Sequence, residues 1–479
     1  MESEARSPEV ALGPTLAAIG FFVPLTILIT LVVAGASIVI AVMTAICFSC
    51  LFSAWMGHPW SEVQAAATRG VVQIFPAAFM MILVGFMIAV WIEAGSVPTL
   101  LYYGIKLINP QIFLPLSFII CLGICLTIGT SWGTAGTVGL ALMGVAQGLG
   151  ISLPMSAGAI ISGALVGEKL SPISGTTILT AGSTNTNLTD HIVSMMNTTI
   201  PASMVSIALY TYLGWHHAPA SNEIQSVATV LAGLHDNFVI HPVLLVPPLF
   251  VLVLSAMRKP AIPVFVGGIA LGVVMALMVQ RASLIHVLNS GMDGFKSNTG
   301  VQIVDALLSR GGVASMSFNL YLCLCAGIFA GILELQGILT TLLRNLLSHT
   351  RTIGGLVLST TIACLALMFG GAGQFCTLSL PGFAFRRFYE DRDVHSCVLS
   401  RTMEDCGTMV GAIIPWDVSA LYYASVLGVS MYTYAPYAFM AWMPPFVSVA
   451  CAYIGLGAFR RNQRVRPLVF RSRNVAPVY

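Results

Sequence analysis

The side chains best suited to chemistry in this sequence are ionisable groups that stand within long apolar stretches. Glu168 and Lys169 lie between two apolar runs, and Glu404 and Asp405 lie at a second interruption of the apolar pattern. An ionisable group inside a membrane span costs at least ~2.5 kcal/mol, so groups that are retained there are candidates for function. The two interruptions are therefore the predicted working parts of the chain.

The first interruption, residues 167–177, reads Gly-Glu-Lys-Leu-Ser-Pro-Ile-Ser-Gly-Thr-Thr. Pro172 removes a backbone donor and, with Gly175, predicts a break in a helix. Such a break offers free carbonyls and half-helix ends to a cation or an anion. Neutral side-chain oxygens surround it, on Ser171, Ser174, Thr176 and Thr177.

The second interruption, residues 401–417, carries three carboxylates. Adjacent side chains point to different faces of a helix, so Glu404 and Asp405 need not share a site. Arg401 precedes them by three and four residues, and an internal salt bridge with one of them is the alternative, structural interpretation. Asp417 has no basic neighbour in its own segment, which favours a binding role for it.

Both interruptions offer the oxygen ligands that a hard monovalent cation such as Na⁺ prefers, by analogy with Ca²⁺ and Mg²⁺. A buried carboxylate that binds either a cation or a proton would exchange one for the other. The predicted ion- or substrate-binding residues are Ser131, Thr134, Glu168, Ser171, Ser174, Thr176, Thr177, Gln374, Glu404, Asp405, Thr408 and Asp417. The predicted helix-breaking residues are Pro172, Gly175, Gly407 and Pro415, and the predicted Na⁺ ligands are Glu168, Asp405 and Asp417.

A serine hydrolase is the remote alternative. Residues 129–133 match the G-x-S-x-G nucleophile motif around Ser131. That motif needs a strand before it and a helix after it, whereas both flanks here are apolar and helix-like. The base would be a histidine such as His191, which lies in a short amphipathic stretch, residues 187–197, that we predict to be interfacial.

Composition places these residues in a membrane protein. Of the 479 residues, 57% are hydrophobic and only 8% charged, and the mean hydropathy is +0.89. Soluble domains carry about 25% charged residues, so an ordinary cytosolic enzyme is excluded. The net charge of +3 is too small to indicate nucleic acid, and the pairs Cys121–Cys125 and Cys323–Cys325 lack the CxxC spacing of zinc or redox sites. We predict one all-α integral membrane domain in the lipid bilayer, with no cofactor besides the coupling ions Na⁺ and H⁺.

Apolar stretches long enough for spanning helices occur along the whole chain. They lie near 17–33, 36–56, 72–92, 112–128, 200–214, 243–257, 262–280, 319–335, 353–370 and 437–457. Two further apolar regions, 129–185 and 371–430, are broken by Gly, Ser, Thr and Pro. The sequence therefore predicts about ten spanning helices together with re-entrant hairpins and two broken helices.

A weak internal repeat relates the halves. Gly95 and Gly337 each follow the end of an apolar run that carries a glutamate, and Gly129 and Gly371 lie in matching small-residue clusters, both pairs 242 residues apart (337 − 95 and 371 − 129). Halves with matching interruptions are typical of inverted-repeat secondary transporters. The predicted divisions are an N-terminal segment 1–14, repeats 15–215 and 242–458, a polar link 216–241 and a basic tail 459–479.

Charge predicts the orientation. Six arginines crowd residues 460–473, and basic residues favour the cytoplasmic side. We therefore expect both termini in the cytoplasm and a multi-pass protein in the cell (inner) membrane. The partners would be a small ion or small organic solute and the lipid bilayer, and a homodimer is compatible with the sequence.

The motifs resemble those of a known family. Gly129–Gly139, Gly167–Thr177, Arg401–Thr408 and Ile414–Trp416 are similar to motifs of the NhaC-type sodium/proton antiporter family of the ion transporter superfamily. The resemblance covers residues 15–458. It implies an inverted-repeat fold with a scaffold and a mobile transport domain. It also implies cation-coupled antiport, of sodium for protons or with an organic acid or amino acid.

The sequence departs from that family at the first interruption. The family pattern resembles Gly-Asp-Lys-Leu-Ser-Pro-Leu-Ser-Asp-Thr-Thr-Asn, and its two aspartates and its asparagine are replaced here by Glu168, Gly175 and Ile178. In the second half the family tends to have Asn where this chain has Asp417. One interpretation is that Asp417 replaces the carboxylate missing at Gly175. The alternative is that the first cation site is lost and the chain carries an organic solute.

Overall fold

The structure is a computed structural model that describes residues 13–107, 109–217, 224–257, 259–338 and 352–467. Within these ranges the chain forms helices joined by short turns, with an isolated bridge between Val394 and Arg460. The predicted all-α membrane fold is confirmed.

The first half begins with four helices that precede the region of the first interruption. They are α1 Pro14–Val33, α2 Ile38–Trp55, α3 Trp60–Glu93 and α4 Ser96–Leu107. The helices around the first interruption are α5 Phe113–Ile128, α6 Ser131–Thr134, a π-helical turn Ala135–Gly139, α7 Leu140–Gly148, α8 Leu153–Leu170, α9 Gly175–Ser183 and α10 Leu188–His216.

The second half contains twelve helices in the described residues. It begins with α11 Ile224–Asn237, α12 Val246–Ala256, α13 Ala261–Met278, α14 Leu284–Asp293, α15 Gln302–Leu308 and α16 Ser317–Leu335. It continues with α17 Ile353–Phe369, α18 Gly373–Glu390, α19 Ser396–Val410, α20 Val418–Leu427, α21 Met431–Tyr434 and α22 Phe439–Ile454.

The ten predicted apolar stretches each overlap one of these helices. By length and composition, six helices of the described chain are able to cross a membrane, or nine if each of three bent pairs is one span. The apolar helices Ile262–Met278 and Ile353–Phe369 fall just short of the length used for that count.

Both predicted helix breaks are present, but the prediction that Gly407 breaks a helix is wrong, because Gly407 lies inside α19. α8 ends at Leu170 and α9 begins at Gly175, with Ser171 extended between them. The second broken helix bends by 47° between Ser396–Ile413 and Val418–Leu427. Proline and glycine produce these breaks because Pro172 and Pro415 lack the N–H that a continuous helix needs.

The helical elements recur at the spacing that the glycines predicted. The segment from α6 to α7 spans 131–148 and α18 spans 373–390, which is a shift of 242 residues at both ends (373 − 131 and 390 − 148). The broken pair α8–α9 likewise corresponds to α19–α20. All four glycines of the predicted repeat, Gly95, Gly129, Gly337 and Gly371, have positive φ.

Two glycine contacts between α3 and the second half show the same relation. A Cβ at Gly70 would collide with the carbonyl oxygen of Gly327, and a Cβ at Gly85 would lie 2.8 Å from that of Gly312. The 242-residue shift converts position 70 into 312 and position 85 into 327. The two contacts are therefore exchanged by the repeat, as a pseudo-two-fold axis requires. The division of the chain at 216–241 stays a prediction.

Each broken helix packs against the other repeat. Ser183 of α9 donates a hydrogen bond of 2.8 Å to the carbonyl of Leu378 in α18. Reciprocally, Tyr422 of α20 donates a hydrogen bond of 2.8 Å to the carbonyl of Trp132 in α6. The two interruptions of the sequence thus meet in the interior of the fold.

Candidate functional site

The end of α8 presents Glu168 beside the first small-residue cluster. Ser131, the first residue of α6, donates a hydrogen bond of 2.5 Å to Glu168 Oε2. The hydroxyl of Tyr423 on α20 donates a hydrogen bond of 2.7 Å to Ser131 Oγ. Glu168 keeps some accessible surface, whereas Ser131 and Tyr423 are buried. This arrangement places the Glu168 carboxylate against a hydroxyl relay from the second repeat.

A second carboxylate lies on α19 and is fully buried. Glu404 Oε2 accepts a hydrogen bond of 2.6 Å from Thr180 of α9, and its Oε1 accepts one of 2.8 Å from Thr408. α9 contacts both glutamates, because Thr180 donates to Glu404 and Thr177 donates to the backbone carbonyl of Glu168. Two like charges in a region of low polarity are unfavourable unless a cation or a proton neutralises one of them. The pair is therefore suited to bind a positive species.

Asp405 has a different partner from its neighbour. The Lys169 ammonium forms a fully buried ion pair with Asp405 Oδ1, which also accepts a hydrogen bond of 3.1 Å from Thr198. The prediction that Glu404 and Asp405 point to different faces is confirmed. Asp405 is thus matched by a cation of the protein itself, and its predicted role as a Na⁺ ligand stays a prediction.

The interpretation that Arg401 pairs with Glu404 or Asp405 is wrong. Arg401 Nη1 donates a hydrogen bond of 3.0 Å to the carbonyl of Gly457. Spacing along one helix suggested the pair, but Lys169 of α8 occupies the position beside Asp405. A tertiary contact has replaced the local one.

Asp417 and Gln374 lie apart from these carboxylates, at the wall of a cavity that encloses about 760 Å³ including its open mouth. Asp417 caps α20 by accepting a hydrogen bond of 2.8 Å from the backbone N of Ser419. The Ser419 hydroxyl donates a long hydrogen bond of 3.5 Å to Gln374 Oε1. Trp132 also lines the cavity. Because Trp132 follows Ser131, which donates to Glu168, this wall of the cavity is adjacent to the surroundings of Glu168.

The remaining predicted oxygens bond mainly to the backbone around the break. Ser171 donates to Leu126 O (2.9 Å), Thr177 donates to the carbonyls of Glu168 and Lys169 (3.3 and 3.2 Å), and Thr134 donates to Thr130 O (3.0 Å). Ser174 and Thr176 bond to each other at 2.8 Å. The hydroxyls therefore stabilise the break, and they are the oxygens that surround it.

The contacts of Ser131 and His191 do not fit a serine hydrolase. The Ser131 hydroxyl bonds to Glu168 and Tyr423, while His191 Nδ1 lies 2.8 Å from Ser400 Oγ. α6 follows the helix α5, so the strand that the nucleophile motif requires does not precede Ser131. His191 is fully buried in the long helix α10, so the prediction of a short amphipathic stretch is wrong, and its placement at the membrane interface stays a prediction.

The sequence did not indicate three residues that donate hydrogen bonds to the side chains of this site, namely Thr180, Thr198 and Tyr423. Thr180 follows Thr176 by one helical turn, and that spacing was a usable signal because both hydroxyls fall on one face of α9. No pattern marked Tyr423 or Thr198. The described residues contain no group of three His, Cys, Asp or Glu side chains able to hold a metal ion.

Comparison with known proteins gives a consistent result over nearly the whole chain. A model of the Na⁺/H⁺ antiporter family matches residues 9–215 and 178–456. Among individual relatives, the Na⁺/H⁺ antiporter NhaC of Alkalihalophilus pseudofirmus is 33% identical over 419 residues, which are 87% of this chain and 90% of that protein.

Other relatives have names that specify organic solutes. The malate-2H⁺/Na⁺-lactate antiporter of Bacillus subtilis is 33% identical over 84% of this chain and 86% of its own length. The arginine/ornithine antiporter ArcD of Halobacterium salinarum is 30% identical over 86% of this chain and 85% of its own length.

Proposed function

This chain belongs to the Na⁺/H⁺ antiporter family, and from that premise we propose that it exchanges Na⁺ for H⁺ across the cell membrane by alternating access. Family membership makes the chain a transporter rather than an enzyme. The observation that carries the proposal is that hydroxyl groups hold two carboxylates at the junction of the broken helices: Ser131 donates to Glu168, and Thr180 and Thr408 donate to Glu404.

The exchange chemistry follows from competition for Glu168. A Na⁺ ion would be held by the Glu168 carboxylate, by the Ser131 hydroxyl oxygen after its proton turns away, and by oxygens of the nearby break. A proton would satisfy the same carboxylate without the cation. Because Glu404 adds a second negative charge nearby, one positive species is favoured and the empty, doubly charged state is not. Exchange results when Na⁺ binds to the site on one side of the membrane and H⁺ binds to it on the other side.

The fold contains an interface between the two repeats whose movement would allow alternating access. α9 packs on the second repeat and α20 packs on the first, so a shift of either broken helix alters the surroundings of Glu168 and Glu404 together. Binding sites between the repeats and built on discontinuous helices are the usual arrangement in secondary transporters. The cytoplasmic location of both termini is part of the proposal and rests on the arginine-rich end of the chain.

The test is exchange by the purified chain in proteoliposomes that contain a pH-sensitive dye. An imposed Na⁺ gradient should move protons in the opposite direction, and K⁺ at the same concentration should not. Glu168→Gln should abolish the proton movement, because a neutral amide neither takes up a proton nor balances a cation. Ser131→Ala should only weaken it, since water or a carbonyl can replace one hydroxyl oxygen.

The folding of each variant is checked by its elution profile in size-exclusion chromatography, at equal expression. Wild-type flux in a correctly folded Glu168→Gln variant would remove Glu168 from the site. The same vesicles, tested with a panel of carboxylates and amino acids, distinguish Na⁺/H⁺ exchange from the alternative, an organic acid or amino acid carried with Na⁺ or H⁺. Proton movement only when one of these solutes is present would overturn simple exchange.

A further inference from the structure

The cavity at Asp417 has a chemistry that differs from the carboxylate pair. Its walls come from α3, α16, the start of α18 and the start of α20, together with Trp132 of α6. Small residues such as Gly70, Gly327 and Ala330 form one side. The cavity encloses about 760 Å³ including its open mouth, which is more space than a single Na⁺ ion fills.

Charge at the cavity has one sign. Asp417 is the ionisable side chain among the described residues that line it, and no lysine, arginine or histidine is found among them. Asp417 is only 6% exposed, and the backbone N–H of Ser419 at the start of α20 offsets part of its charge. A nearly buried carboxylate with no basic residue at the same wall favours a positively charged occupant and disfavours an anion.

Two indole rings are held in place at the same wall. Trp416 Nε1 donates a hydrogen bond of 3.0 Å to the carbonyl of Phe369, and Trp132 stacks on Tyr422 with ring centroids 5.2 Å apart. Indole faces attract cations, with a gain of about 0.5–2 kcal/mol that grows as water is excluded. The Gln374 amide supplies a neutral hydrogen-bonding group beside Asp417.

We propose that this cavity binds a small organic ammonium ion, with the ammonium group at Asp417, between Gln374 and the two indoles, and the alkyl part against the small residues of α3 and α16. Each part of the ligand has a complementary wall. An organic acid would bring its carboxylate toward Asp417 without a basic partner, and a hydrated Na⁺ ion would leave the apolar walls unused.

Binding is tested on the purified full chain in detergent with n-propylammonium chloride and, as the isosteric anion, potassium propionate, at constant ionic strength set with KCl. The readouts are tryptophan fluorescence and melting temperature. Propylammonium should give a saturable fluorescence change and a rise in melting temperature, and propionate should give neither. Asp417→Asn should weaken propylammonium binding at least about tenfold, the loss expected for one charge-assisted contact of ~1.4 kcal/mol or more.

Two further variants define the result. Asp391→Asn makes the same chemical change at an exposed turn and should bind propylammonium as the wild type does. Ala330→Phe fills the cavity from α16 while keeping Asp417, and it should also abolish binding, which covers the case in which Asp417→Asn fails to fold. Saturable binding of propionate, no saturable response to propylammonium, or unchanged affinity in folded Asp417→Asn would each overturn the proposal. Na⁺/H⁺ exchange in vesicles is scored separately, so loss of one proposal leaves the other standing.

Discussion

At the scale of single residues, the four ionisable groups at the junction of α8 and α19 divide into two pairs with opposite character. Lys169 and Asp405 neutralise each other in a fully buried ion pair. Glu168 and Glu404 instead accept hydrogen bonds from the hydroxyl groups of Ser131 and Thr180. The neutral pair therefore stabilises the junction, and the like-charged pair is left to attract a cation or a proton.

The first prediction concerns that ion pair. Asp405→Asn should lower the free energy of unfolding by about 3–5 kcal/mol, because it leaves the Lys169 ammonium buried without a counter-charge. Combining it with Lys169→Met should recover most of the loss, since the double variant buries no charge. The measurement is the melting temperature of each detergent-purified variant, with exposed Asp391→Asn as control. An Asp405→Asn variant as stable as the wild type would show that the pair is not structural.

The sequence predicted the ionisable residues of the site, but it did not predict which side chains contact them. Glu168, Lys169, Glu404 and Asp405 stood out because ionisable groups are costly within apolar segments. Their pairing depends on which helices pack together, and helix spacing therefore suggested Arg401 where the structure has Lys169. Tyr423 is an ordinary residue of an apolar helix in the sequence, and only the packing of α20 on α6 brings its hydroxyl to Ser131.

At the scale of helices, proline and glycine predicted the ends of the broken helices. The sequence did not predict the length of α10. The polar residues near its start suggested an interfacial stretch and a span beginning near residue 200. In the structure those residues face inward, with Ser194 bonding to the carbonyl of Cys397 and His191 lying against Ser400. In a membrane protein a polar face can mark the protein interior, because lipid offers no partner for it.

The second prediction concerns the close contact of α3 with α16. A Cβ at Gly70 would collide with the backbone carbonyl of Gly327, so Gly70→Ala must push the two helices apart. Gly123→Ala on α5 is the matched control, because nothing lies within 4 Å of its Cβ. We expect Gly70→Ala to lower the melting temperature and the yield of folded protein, and Gly123→Ala to change neither. Equal stability of the two variants would contradict the packing.

At the scale of the whole molecule, the repeat places equivalent positions in unequal surroundings. Gly175 and Asp417 are related by the 242-residue shift (417 − 175), and each lies where the second half of a broken helix begins. Asp417 faces the cavity beside Gln374. Gly175 is exposed and precedes Thr176, which interacts with Glu404. Asp417 and Gly175 therefore face different groups. This argues against the interpretation that the carboxylate of Asp417 replaces the one missing at Gly175.

The last prediction tests that difference. Gly175 has no atom within 4 Å of a Cβ and a normal helical φ, so Gly175→Asp should be accommodated, and a carboxylate is favourable in the first turn of a helix. Because the new charge lies next to the Glu404 neighbourhood, Gly175→Asp should lower the Na⁺ concentration for half-maximal exchange several-fold. It should not restore propylammonium binding to Asp417→Asn, since Gly175 is not among the residues that line the cavity. The double variant, titrated with Na⁺ and with propylammonium, decides the matter: recovered propylammonium binding would mean that the two positions share one site, and the separation of the carboxylate pair from the cavity would then be wrong.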